Sequence, residues 1–173
     1  MQKILVVVDM QNDFIDGALG SAHATAIVPA VKAKIEGFEG RVIFTRDTHG
    51  ADYSSTQEGR NLPVEHCVRD TAGWQISAEL APFCKEVVDK PTFGSVELAK
   101  MLCDISSDEG IESITFIGLC TDICVISNAM LAKAFLPEVP VIVDAACCAG
   151  VTIESHKTAL DAMRACQIAI END

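Results

Sequence analysis

The sequence predicts a three-layer α/β domain, a doubly wound and mostly parallel sheet of about six strands with helices on both faces. Three observations predict it. Short runs rich in Val and Ile recur at 4–8, 42–44, 87–88, 114–119, 139–143 and 168–170; they lack strict alternation, as strands buried on both faces do. Between them lie segments whose apolar residues follow helical spacing. The resulting order is β-α-β throughout, the arrangement that layers helices over a parallel sheet.

The first run, Ile4 to Val8, ends directly in Asp9, which places a carboxylate at a strand exit. Ile27, Val31 and Ile35 then mark a helix, and the run 42–44 is followed by Asp47. Residues 47–75 are polar and without period, holding Asp47, His49, Asp52, Tyr53, Glu58, His66, Gly73 and Trp74. A loop of that length inside a compact domain points to a functional segment. The run at 87–88 leads to Lys90, and Pro91 biases Lys90 towards extended backbone. Val96, Leu98, Ala99 and Leu102 mark the next helix. The run 114–119 passes through Cys120 and Cys124 into a helix with Ile126, Met130 and Ala134 on its predicted apolar face. Leu160 and Met163 mark the last helix before 168–170.

One domain spanning 1–173 is expected, since a chain of this length buries about 70% of its unfolded surface. No repeat, low-complexity tract or linker interrupts it. Thirteen basic against 25 acidic residues give a net charge of -12, which repels phosphate backbones and anionic lipid and argues against nucleic-acid or membrane partners. Eight cysteines lie within apolar periodic segments, which fits reduced thiols in a cytoplasm better than a disulfide framework. Cys147-Cys148, adjacent in the chain, reads as packing. The opening run is too short before Asp9 for a signal segment or a membrane span.

Ligands of open α/β sheets bind beyond the carboxyl ends of the strands. That rule gathers Asp9, Asp47, Lys90 and the 120–124 segment at one rim. Cys124, at a strand-to-helix junction, is the candidate nucleophile: unpaired N–H groups and the macrodipole of a first helical turn favour thiolate. A small buried packing residue is the competing account. Asp9 is suited to take the thiol proton and return it to a leaving amine, although an isolated Asp serves as readily as a turn or cap residue. Lys90 is suited to hold Asp9 ionised and stabilise developing negative charge; a surface lysine is the plain alternative. Asp47-Thr48-His49, with His66 later in the same segment, offers ligand types that zinc accepts, and the same residues also suit loop caps.

Four stretches together resemble the cysteine hydrolases of the isochorismatase-like superfamily, which includes the nicotinamidases. They are Val7-Val8-Asp9-Met10-Gln11-Asn12-Asp13-Phe14, Asp89-Lys90-Pro91-Thr92-Phe93, Gly118-Leu119-Cys120-Thr121-Asp122-Ile123-Cys124-Val125 and Asp144-Ala145-Ala146-Cys147. The resemblance implies strand order 3-2-1-4-5-6 and an Asp9, Lys90, Cys124 triad that hydrolyses a small amide through a thioester. It also implies an oxyanion site from the N–H groups of Cys120 and Cys124, beside a cis Leu119–Cys120 peptide. In that order Lys90 starts two strands from Asp9, about 10 Å away, so its side chain must lean inward.

The resemblance further implies a divalent ion, with zinc expected and manganese or iron as substitutes, held by Asp47, His49, Glu58 and His66. Tyr53 stands where many nicotinamidases carry another His, and Glu58 takes that ligand's part. Phe14 and Leu62 are expected to line an apolar slot for a flat ring, Trp74 to anchor the long loop, and Cys67 to be a packing thiol. His23 and His156 are expected to lack convergent partners. The expected partner is a small-molecule amide, nicotinamide above all, and homo-oligomers are usual among relatives. Other readings are a ureide or carbamoyl amidase, which keeps the triad without the Asp-x-His pair, and a non-enzymatic domain in which Cys124 senses oxidants. Isochorismatases proper lack the nucleophilic cysteine.

Overall fold

A computed structural model describes residues 1–173. Six parallel strands form one sheet in the order β3-β2-β1-β4-β5-β6, as the resemblance implied. They are β1 (Gln2–Val8), β2 (Arg41–Asp47), β3 (Val87–Lys90), β4 (Ile111–Leu119), β5 (Val141–Ala149) and β6 (Ala169–Glu171). The helices are α1 (Asn12–Ile15), α2 (Ala22–Glu36), α3 (Gln57–Asn61), α4 (Val96–Asp108), α5 (Ile126–Phe135) and α6 (Ile153–Ala165).

The absence of alternation in the strand runs has its reason in two cores. Ile4, Val6 and Val8 of β1 pack with Leu98, Leu102, Ala129, Leu160 and Met163 from α4, α5 and α6 on one face. Leu5 and Val7 pack with Val28, Val31 and Ile35 of α2, together with Ile76 and Leu80, on the other. Side chains at i and i+2 share a sheet face, so a strand covered on both sides must be apolar at every position. Cross-sheet burial of this kind contributes about 25 cal/mol per Å² of apolar surface and dominates the stability of the fold.

Side-chain capping starts the longer helices. Ser21, Ser95 and Thr152 each accept a hydrogen bond from a first-turn N–H, at Ala24, Leu98 and Ser155 respectively, satisfying donors that a helix start otherwise leaves unpaired. One helical face differs from the expected one. On α5 the buried residues are Asn128, Ala129 and Ala132, whereas Ile126 and Met130 are half-buried and Ala134 is exposed. The preceding residues 121–125 form a wider π turn, in which the Val125 N–H reaches the Cys120 carbonyl at 3.0 Å. This turn changes the phase of everything after it.

Candidate active site and metal cluster

Three strand ends and one strand-to-helix turn converge at the carboxyl edge of the sheet. At the end of β1 the backbone turns through Asp9, which has φ +48°; its N–H bonds to the Thr45 carbonyl of β2 at 3.2 Å. Next to it, Gly118 of β4 pairs with Val8 and has φ +114°. A Cβ there would lie 2.2 Å from the Val8 carbonyl oxygen, so only glycine lets the two strands close at the site. The Leu119–Cys120 peptide that follows is cis.

Asp47 and Lys90 are register partners on β2 and β3. From there the Lys90 side chain crosses β2, and its Nζ lies 2.6 Å from Asp9 Oδ2, 3.4 Å from Cys124 Sγ and 3.6 Å from Asp47 Oδ1. It also donates to the Thr92 carbonyl at 3.2 Å. The inward lean that the strand order demanded is therefore present, and Asp9 and Lys90 are both fully buried. A buried ammonium is tolerated only with such company. Burial alone would push Lys90 down, but the carboxylates of Asp9 and Asp47 hold it well above the usual lysine range. Burial pushes Asp9 up, partly offset by Lys90.

Cys124 departs from one expectation. Its thiol is not held as thiolate: burial, then the Asp9 charge, push it well above the ordinary cysteine range, with Lys90 opposing. Loss of water outweighs a helix-start field because Cys124 is the fourth residue of the 121–125 turn and almost wholly enclosed. A thiol and a carboxylate that burial pushes in the same direction thus stand beside one ammonium, an arrangement suited to moving a proton between them during attack.

Beside this group stand Asp47, His49, Glu58 and His66, whose ligand-type atoms all lie within 4.8 Å of one another. Asp47 Oδ2 is 2.8 Å from His49 Nε2 and 3.5 Å from His66 Nε2, and Glu58 Oε1 is 3.6 and 3.7 Å from the same two nitrogens. Asp47 Oδ1 is buried with no hydrogen-bond partner. Asp9, Asp47 and Glu58 set three carboxylates against the single ammonium of Lys90, an excess of two negative charges when the histidines are neutral. That balance, an orphaned carboxylate oxygen and mixed O/N donors fit a divalent cation. Tyr53 contributes no ligand atom. Its ring packs edge-on against His49 and His66, at 4.7 and 5.0 Å between centroids, and its hydroxyl donates to the Leu62 carbonyl at 2.8 Å.

Cys124 and the cluster open on one cavity of about 560 Å³, lined among others by Phe14, Leu62, Phe93, Ile123 and Cys120; Asp9 and Lys90 are fully buried and outside that lining. Phe14 also packs against the His66 ring, 5.5 Å between centroids. Trp74 stays outside that cavity. Its Nε1 donates to Thr48 Oγ1 at 2.8 Å and Arg46 covers its face at 3.7 Å, so it anchors the loop as expected. Cys67 is buried and outside the cluster, and His23 is exposed. His156 does have a partner, contrary to expectation: its Nδ1 is 2.7 Å from Thr121 Oγ1, which ties α6 to the 121–125 turn.

Three supporting residues escaped the sequence reading. Gln11 donates to the Asp47 and Trp74 carbonyls at 2.9 and 2.8 Å and accepts from the Asp47 N–H at 2.7 Å. Asn128 donates to the Cys124 and Phe93 carbonyls at 2.8 and 3.0 Å. Thr45 donates to Asp9 Oδ1 at 2.6 Å. Asn128 carried a signal, a polar residue one turn after Cys124 on a buried stripe. Gln11 and Thr45 carried none beyond being polar beside apolar runs.

The isochorismatase domain model matches residues 3–172. The chain belongs to the isochorismatase family. Within that family it is 27% identical over 184 residues to the nicotinamidase/pyrazinamidase of Mycobacterium tuberculosis, covering 97% of each chain. A crystal structure of the pyrazinamidase of Pyrococcus horikoshii in complex with zinc superposes with a TM-score of 0.83 at 28% identity, covering 98% of both chains. The L. infantum protein crystallised with nicotinate shares the fold, with a TM-score of 0.84 at 23% identity over 98% of this chain and 91% of that one. The fold is thus shared with these proteins across nearly the whole chain.

Proposed function

We propose that this isochorismatase-family protein is a cysteine-dependent amide hydrolase of nicotinamidase type, acting on nicotinamide or a closely similar heteroaromatic primary amide. The observation that carries the reading is the Lys90 ammonium within reach of both Asp9 and Cys124, with Cys124 lining a cavity that Asp47, His49, Glu58 and His66 also line. The ring would lie between Phe14 and Leu62. Asp9 takes the thiol proton as Cys124 Sγ bonds to the amide carbon, and the N–H groups of Cys120 and Cys124 receive the oxyanion. Collapse breaks the C–N bond, and the amine leaves with the proton from Asp9. Water then attacks the thioester, giving a proton to Asp9 and releasing the acid and the thiol. Lys90 stays protonated throughout and balances the charge on Asp9.

A divalent cation held by Asp47, His49, Glu58 and His66, zinc by preference, would supply a Lewis-acidic centre for a ring nitrogen or bound water. This cluster favours the nicotinamidase reading over ureide or carbamoyl amides. A redox-sensing role is disfavoured, because sensor thiols are exposed and of low pKa whereas Cys124 is enclosed and raised. Eight unpaired cysteines support a reducing, cytoplasmic setting. No helix is long and apolar enough to cross a membrane. The exposed apolar residues Phe93, Val96 and Phe135 support a homo-oligomer, which light scattering of the purified protein tests.

The deciding assay measures ammonia release from nicotinamide, a benzamide, a ureide and a carbamoyl amide, with and without added zinc. Turnover of nicotinamide that is lost on chelation and restored by zinc is the expected result. Ammonia from none of the four would end the reading.

The cluster also governs its own loop. Every hydrogen bond of residues 50–63 is made within 50–64, so side-chain packing, that of Tyr53 above all, and Glu58 in the cluster hold this segment to the body. Arg60 is its one tryptic site. Zinc should slow cleavage after Arg60 by about tenfold or more, since ligation removes the open population that protease attacks. Glu58→Gln should erase most of that protection; equal cleavage rates with and without zinc would show that the cluster does not fasten the segment.

A further inference from the structure

Thr45 is fully buried on β2 and bonded to Asp9 three times. The Asp9 N–H lies 3.2 Å from the Thr45 carbonyl oxygen and 3.3 Å from Thr45 Oγ1, and the Thr45 hydroxyl is 2.6 Å from Asp9 Oδ1. Since Oγ1 faces the Asp9 N–H as an acceptor, the hydroxyl proton must point at Oδ1. Reversing it would set two donors against each other in a site without water access. Oδ1 is thereby committed to accepting. The other oxygen, Oδ2, has no partner except the Lys90 ammonium at 2.6 Å, and a carboxylate oxygen keeps a second lone pair when one is so occupied.

We propose that Thr45 is a positioning residue for the hydrolysis: its hydroxyl fixes the Asp9 carboxylate about its Cβ–Cγ bond and assigns the travelling proton to Oδ2. In the acylation step the S–H bond of Cys124 breaks and an O–H bond forms on Oδ2; that proton then leaves with the amine, and the thioester step repeats the cycle with a proton from water. Oδ1 never carries the proton, because the Thr45 hydroxyl is already donating there. The β-branched side chain suits the task. Its stiff χ1 holds the hydroxyl on Asp9 within a strand that has no room for rotation.

This inference rests on the amide-hydrolase reading, and the experiment separates the two. Steady-state kinetics on nicotinamide, with zinc present, compare the unmodified protein with Thr45→Val, Thr45→Ala and Thr45→Ser, each checked for its melting temperature. Thr45→Val keeps shape and loses the hydroxyl, so kcat should fall about 10- to 100-fold with KM within about threefold, the signature of a bond needed in the transition state and not for binding. Thr45→Ser should recover kcat to within about threefold even if its melting temperature drops for want of the methyl. Thr45→Ala supplies a second hydroxyl-free form if the valine variant does not fold. Full kcat in either hydroxyl-free variant overturns the role of Thr45 alone. So does a serine variant as slow as the valine one. No turnover by the unmodified protein removes the amidase reading and this inference with it.

Discussion

Replacing Cys124 by alanine should remove amide turnover, by at least about 1,000-fold in kcat/KM, and leave the fold in place. The Cys124 sulfur lines the cavity 3.4 Å from the Lys90 ammonium and can form and release an acyl bond. Asp9 and Lys90 without it can polarise water but offer no covalent route. The fold should tolerate the change: the lost volume is one sulfur, and single small deletions of this kind in a core cost about 1 kcal/mol. Far-UV circular dichroism and thermal unfolding check the second half, and mass spectrometry checks the first. With nicotinamide in excess and a rapid acid quench, the unmodified protein should gain the mass of a nicotinoyl group on the peptide holding Cys124, and the alanine variant should gain nothing. Turnover surviving in Cys124→Ala would transfer the chemistry to water activated at the metal cluster.

How much of this was legible beforehand varied with the kind of constraint. Strands such as Ile4 to Val8 declare themselves because burial on both faces leaves no polar position, and Asp9 and Asp47 stand out as the first carboxylates after such runs. Glu58 was different. It sits in an irregular segment, and only the family resemblance suggested it; the structure brings it to His49 and His66 through α3, a five-residue helix no periodicity would reveal. The face of α5 was misplaced because a π turn inserts an extra residue per turn, and a period of 3.6 carries no sign of it. The ionisation of Cys124 was misjudged for a related reason. Sequence position reports the helix field, whereas enclosure by residues from β1, β3 and α5 decides the solvation. Thr45 and Gln11 act across strands, through register, which a sequence sets only after the strands have paired.

Lys90→Met should damage stability and activity together, and the two effects separate on a double substitution. Lys90 is the one cation among Asp9, Asp47 and the Cys124 sulfur, so its removal leaves two carboxylates facing each other away from water. Breaking a buried charge pair in this way costs about 3–5 kcal/mol, which for a domain of this length lowers the melting temperature by roughly 6–20 °C. Methionine fills most of the same volume, so the loss is electrostatic and not a cavity effect. Adding Asp9→Asn to Lys90→Met removes one of the stranded charges and should return much of the stability, a coupling that a double-mutant cycle reads directly. Activity should stay lost in both, since the asparagine cannot accept the thiol proton. At the second step stability therefore recovers while activity does not. A Lys90→Met protein as stable as the unmodified one would mean that Asp9 and Asp47 are not both ionised in the folded state, and the charge balance ascribed to the site would fall.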